Sequence, residues 1–302
     1  MNTTRKNYGA RVKLVGGGLV LATLFAAGLA LAGAATVTIG AAGPEPASVT
    51  IQWGDTITFA NVDDAPRGIT IPRLQLASPA IAPGGNWAHV FDGRSGSYGY
   101  RQTEGRGFQG SILVELKGSV TMKATPATVT YGRKVSFTGK SLPGHAVKLE
   151  QLIAPQAGQW VELASVTAGT DGSWSTSIVP KLGARFRATA AAGQLRSPAV
   201  SVDVQPTISL VRPSGAKAGK LVTVRGRVAP PGAVRTADLE RYDSERRRWV
   251  RQERGTVTKS GSLAFRWKAV KGRSRLRVNV QRFGVVQGFA PATSKTVTVT
   301  VA

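Results

Sequence analysis

The chain of 302 residues contains no cysteine. That excludes a disulfide scaffold, a thiolate metal site, a cysteine nucleophile and a lipid-modified cysteine. Histidine is nearly as scarce: His89 and His145 are the whole supply, too few for a histidine-rich metal centre. Acid is also short, with 16 Asp and Glu against 40 Lys and Arg, and no pair of carboxylates stands out by motif, although residues distant in sequence can converge. No Gly-x-Ser-x-Gly elbow, phosphate loop or zinc-protease signature occurs. Beyond residue 35 there is no sustained helical period. The expectation is a protein that is not an enzyme and carries no cofactor.

What is present begins with an address. Arg5, Lys6, Arg11 and Lys13 precede the apolar run Leu14–Leu31 and the small-x-small stretch Ala32-Gly33-Ala34. This is the layout of a signal peptide, or of a retained N-terminal membrane anchor, over residues 1–34. Either way the body is expected outside the cytoplasmic membrane, secreted or at the cell surface, because the basic flank stays inside.

The body reads as all-β. Short alternating runs such as Val49-Thr50-Ile51-Gln52-Trp53 and Ser111-Ile112-Leu113-Val114 are punctuated by Gly, Pro, Asn and Asp. Residues 118–302 contain an internal repeat. Gly132-Arg133-Lys134-Val135 answers to Gly219-Lys220-Leu221-Val222, Trp160-Val161 to Trp249-Val250, Gly172-Ser173 to Gly261-Ser262, and Arg185-Phe186-Arg187 to Arg275-Leu276-Arg277. Each copy resembles the Ig-like repeats of bacterial secreted and surface proteins. The expected boundaries are 35–117, 118–205 and 206–302, with Pro126 and Pro206 stiffening the junctions.

The first segment carries the most specific pattern. Gly54-Asp55-Thr56 opens a strand that ends in Asn61, Pro83-Gly84 forms a turn, and Tyr98-Gly99-Tyr100 leads to Gly110. In this order the pieces resemble the cupredoxin, or blue-copper, family, which implies a Greek-key sandwich. The same resemblance places copper ligands at Arg67, Gln102, Gly105 and Phe108, and none of these is a His, Cys or Met. A blue-copper site needs a thiolate and two imidazoles, so a metal-free domain is expected. Its former copper end is then the natural seat for a protein partner. His89 reads as an edge-strand residue, and Asp63, Asp64 and Glu104 as a solvated loop with too few oxygens for calcium.

Charge is unevenly shared. Residues 35–117 carry a net −1, residues 118–205 a net +5 and residues 206–302, with 21 basic against 5 acidic residues, a net +16. In the last segment Arg225, Arg227, Arg246, Arg247, Arg248, Arg251, Arg254, Arg273, Arg275 and Arg277 are candidates for binding an anionic ligand, since guanidinium forks suit phosphate and carboxylate. Period-two alternation puts Arg273, Arg275 and Arg277 on one face and Leu276, Val278 and Val280 on the other. Trp249 is expected in the core, because its counterpart Trp160 recurs without the arginines. The function expected is a surface protein holding to anionic wall or membrane polymers. Its exported compartment argues against nucleic acid. A copper electron-transfer protein with a non-standard site and an extracellular polysaccharide-active enzyme are the alternatives.

Overall fold

Alternation becomes strand throughout. The computed structural model describes residues 33–104, 107–152 and 158–302. All but the last two residues of the proposed signal or anchor lie outside them. Among the described residues there is no α-helix, and no helix long and apolar enough to cross a membrane. The chain is all-β, with three hydrophobic cores in succession, each enclosed by two sheets.

The first unit contains β1 (Ala34–Gly40), β2 (Gly43–Glu45), β3 (Ser48–Gln52), β4 (Thr56–Asn61), β5 (Ile69–Ile71), β6 (Leu76–Ala77), β7 (Asn86–Val90), β8 (Gly96–Gln102) and β9 (Gln109–Glu115). A sheet in the order β2-β1-β4-β7 faces one in the order β3-β9-β8-β5-β6. In β4 every second residue, Ile57, Phe59 and Asn61, is buried. The pairings β1 with β4 and β3 with β9 are parallel.

The second unit contains β10 (Lys123–Thr125), β11 (Thr128–Thr130), β12 (Val135–Lys140), β13 (Ala146–Leu152), β14 (Trp160–Thr167), β15 (Ser173–Ile178), β16 (Ala184–Ala190), β17 (Leu195–Arg196) and β18 (Val200–Gln205). The third contains β19 (Thr207–Leu210), β20 (Leu221–Ala229), β21 (Thr236–Asp243), β22 (Arg248–Thr256), β23 (Ser262–Lys268), β24 (Gly272–Val280), β25 (Ala292–Thr293) and β26 (Val297–Val301). Each pairs a three-stranded sheet, β10-β12-β15 or β19-β20-β23, with a larger one built on β14-β13-β16 or β22-β21-β24.

The repeat is visible in geometry. The β13–β14 ladder shifts register at Leu149/Glu150 and the β21–β22 ladder at Leu239/Glu240. The hydroxyl of Ser197 accepts from the Ala188 N–H, and that of Ser294 accepts from the Val278 N–H, both at 2.9 Å. Gly172 and Gly261 have φ of +75° and +83°, and a Cβ at either would meet a carbonyl oxygen, of Ser141 at 2.5 Å or of Val228 at 2.4 Å. Both requirements demand glycine at this turn.

The units touch. Trp53 packs edge-on to His145 with ring centroids 5.1 Å apart, and the Ser95 N–H donates to Gln194 Oε1 at 2.7 Å. Between the second and third units only Pro206, itself buried, separates β18 from β19. Phe289 packs against both cores, and the Gly183 N–H donates to the Gly288 carbonyl at 2.7 Å.

Candidate functional site

Two places carry chemistry, and the first is the loop end of the first unit. Asn61, at the end of β4, is 1% exposed, and its amide donates to the carbonyls of Ala65 and Ile81 at 2.9 and 2.8 Å. These bonds pin the loop that holds Asp63 and Arg67. Arg67 Nε donates to Asp63 Oδ2 at 2.8 Å, Nη2 donates to the same oxygen, and Nη1 donates to Gln102 Oε1 at 3.3 Å. The bonds from Arg67, helped by those from Asp64, hold the Asp63 carboxyl below the usual carboxylate range. Asp63 is therefore a buried ion-pair partner, which corrects the expectation of a solvated acidic loop.

Arg67 and Gln102 are two of the positions where the resemblance places copper ligands, and the fold does bring them together. The residues found there do not fit copper. A guanidinium stays protonated and only donates, Phe108 is packed against the core, and Gly105 has no side chain to offer. No cluster of three or more His, Asp or Glu suited to a metal ion occurs among the described residues. His89 stands on the edge strand β7, stacked on Trp87 with centroids 6.0 Å apart and edge-on to Phe91. Burial lowers its pKa, against a smaller opposing pull from Asp92.

Tyr100 closes this core. It is 1% exposed, its hydroxyl donates to the Ala47 carbonyl at 3.3 Å, and burial pushes its pKa up to about 12. An unfolded tyrosine ionises near 10, so below that pH both states are neutral and stability is full. Stability falls as pH rises from about 10 towards 12, by something of the order of 1–2 kcal/mol once water around the hydroxyl is allowed for. Thermal melts from pH 9 to 12 should show this extra loss in the wild type and not in Tyr100→Phe.

The second place is the third unit, where the ten candidate arginines do not share one surface. Arg225 and Arg227 are exposed on β20, in the three-stranded sheet. Arg248, Arg251 and Arg254 lie on β22 and Arg273, Arg275 and Arg277 on β24, in the opposite sheet, with Arg246 and Arg247 in the β21–β22 turn. Leu276, Val278 and Val280 are fully buried on the inner face of β24.

On that second sheet three arginines are neutralised. Asp238 and Glu240, 3% and 8% exposed, project from the central strand β21. Arg254 Nε donates to Asp238 at 2.7 Å, with Arg251 at 3.8 Å, and Arg277 Nε donates to Glu240 at 2.7 Å. The bond to Asp238 raises the Arg254 pKa further. The other seven make no ion pair with a described carboxylate.

Trp249 is not in the core. It lies half-buried on the outer face, with the Arg277 guanidinium 4.1 Å from its ring centroid and Tyr242 edge-on at 5.3 Å. Trp160 is covered the same way by Arg187 at 4.1 Å, and Arg187 donates to Glu150 at 2.6 Å. What recurs at this tryptophan is an arginine lid held by a glutamate, a cation–π contact. A period-two pattern assigns a face but not which face is inner, and the register shift opposite Leu239/Glu240, which leaves Gln252 without a partner, reverses the alternation of β22 three residues after Trp249.

No protein-family model matches the chain. A plastocyanin of Scenedesmus fuscus is 34% identical over 84 residues, covering 24% of this chain and 85% of that protein. Among solved structures, the tetra-tandem repeat in the extending region of a large adhesion protein aligns with 89% of this chain and 74% of its own, at 16% identity and a TM-score of 0.30. The chicken interferon gamma receptor alpha chain aligns with 61% of this chain and 98% of its own, at 9% identity and a TM-score of 0.37.

Proposed function

The chain belongs, over the 84 residues of that match, to the plastocyanin family, yet a hydrogen-bonded arginine stands among the positions of the metal ligands, and from this we infer an exported, non-catalytic binding protein. The first unit keeps the cupredoxin framework without copper chemistry. Its loop end, fixed by Asn61 and the Asp63–Arg67–Gln102 network, offers a rigid surface to a protein partner. The third unit, at net +16 with seven of its candidate arginines unpaired, attaches the protein to an anionic surface outside the cytoplasmic membrane.

The observation that carries this reading is the Arg67 guanidinium bonded to both Asp63 and Gln102. A fixed cation there repels a metal ion and fills the neighbourhood its ligands would need. Copper titration of residues 33–302, read by absorbance and elemental analysis, tests it. The expected result is no stoichiometric copper. One tightly bound copper per chain would overturn the reading and make His89 the first residue to replace.

A further inference from the structure

We propose that the end of the third unit farthest from the second is a docking tip for an anionic lipid surface. The proposal rests on the anionic-surface reading above and narrows it to one place and one ligand.

Topology defines the tip. β19 leaves the junction at Thr207, which pairs with Ala229 at the last residue of β20, so Leu221 at the start of β20 lies about 27 Å away. Leu221 pairs with Lys268 at the end of β23, and Gly272 at the start of β24 pairs with Val301. β21 ends, and β22 begins, at the same end: Arg241 pairs with Leu276 and Asp243 with Arg248. Three connections therefore meet there. The segment before β20 brings Lys217 and Lys220. The β21–β22 turn brings Arg246 and Arg247, with Arg248 next to them. The β23–β24 connection brings Lys271, between Lys268 and Arg273. All eight cations are exposed, and none pairs with a described carboxylate. The acids in the turn are Asp243, which accepts the N–H groups of Glu245 and Arg246, and Glu245 itself.

The duplicate module serves as a control. In the second unit the corresponding end receives the third unit: Gly183 bonds to Gly288, and Tyr131 meets Phe289 with centroids 6.5 Å apart. This end of the module is thus the one that docks. In the third unit it carries a dense positive field in place of that seat, which disfavours a like-charged second copy and favours an anion-bearing surface.

Aliphatic exposure selects the lipid. Leu221 is 65% exposed and Val270 47% exposed, and both stand among these cations. A hydrophilic polymer gains nothing from them, whereas a bilayer interface takes up apolar side chains while its anionic headgroups hold the surrounding Lys and Arg.

Vesicle co-sedimentation of residues 33–302, which include all three cores, tests the proposal. The probes are phosphatidylcholine–phosphatidylglycerol vesicles, phosphatidylcholine vesicles and soluble inorganic polyphosphate. Binding to the mixed vesicles and not to phosphatidylcholine alone is expected. R246Q/R247Q/R248Q/R273Q should weaken it about 600-fold, at roughly fivefold per cation near an anionic membrane. The charge-matched R225Q/R227Q/R235Q/R282Q, away from the tip, should weaken it only a few-fold. L221S/V270S should cost about tenfold on vesicles and leave polyphosphate binding unchanged. Equal losses in the two arginine variants would overturn the tip in favour of diffuse charge. An L221S/V270S variant that binds vesicles like the wild type would overturn the lipid in favour of an aqueous polymer. No binding to vesicles or polyphosphate would overturn the anionic-surface reading itself.

Discussion

Gly110→Val is expected to unfold the first unit while the other two keep their folds. Gly110 pairs with Tyr100 across β8 and β9, and the tyrosine ring folds over it to reach the Ala47 carbonyl. A Cβ at position 110 would stand 2.3 Å from the ring, from its hydroxyl and from the Ala47 oxygen. Backbone on one side and a fully buried ring on the other leave nothing free to move, so the cost should exceed about 4 kcal/mol, beyond ordinary overpacking. A calorimetric trace should lose the transition of the first unit, with the near-ultraviolet signal of Tyr98 and Tyr100. If Gly110→Val melts like the wild type, the packing of Tyr100 over Gly110 is wrong.

A second large effect is expected at the duplicated glutamate. Glu240→Ala leaves the half-buried Arg277 without its 2.7 Å partner and strips Asn279 of a 3.0 Å acceptor. Hydrogen bonds to charged groups in such settings contribute about 1.5–3 kcal/mol, and the arginine lid over Trp249 loosens as well. A loss of about 2–3 kcal/mol is expected in the third unit, with a change in Trp249 fluorescence. Glu150→Ala should do the same to the second unit through Arg187 and Trp160. Because the two sites descend from one pattern, each is the other's control. An effect in only one unit would show that the shared geometry does not carry shared energy.

Much of the fold could be read from spacing. Alternation along Arg273–Val280 separates outer arginines from inner Leu276, Val278 and Val280, because a strand has only two faces. The recurring glycines mark turns where a carbonyl comes within reach of a Cβ, a constraint that leaves its trace in the residue type. The tyrosines and Gly110 of the first unit are legible for the same reason. The site was less so. Asp63 and Arg67 are close in sequence but sit in a loop, where no period announces their pairing, and Asp238 meets Arg251 and Arg254 only through the register of the β21–β22 hairpin, whereas Gln102 and the Glu240–Arg277 pair come together from strands distant in sequence. Trp249 reads as a core residue in sequence because a recurring aromatic resembles one, while the bulge at Gln252 and the arginine lid leave no local sign. Arg225 and Arg227 repeat the outward alternation of the other arginines, but alternation does not tell which of two sheets a strand joins, and they sit on the opposite one.

The parallel pairing of early and late strands has a mechanical meaning. In the second unit β11, near its start, runs beside β18, its last strand, with Thr128 against Asp203 and Thr130 against Gln205. Tension drawing the two ends of the unit apart pulls these neighbours along their own length in opposite directions, so the hydrogen bonds between them bear the load together. The β3–β9 pair in the first unit has the same geometry. The third unit meets load differently: β19 is antiparallel to β20 and β26 antiparallel to β24. These two strands lie in different sheets and share no ladder, so load on the ends of the unit crosses its packed core in place of one row of hydrogen bonds that shares it. A chain held at its far tip and pulled from the other end would give way first in the third unit, extending there while the first two remain whole.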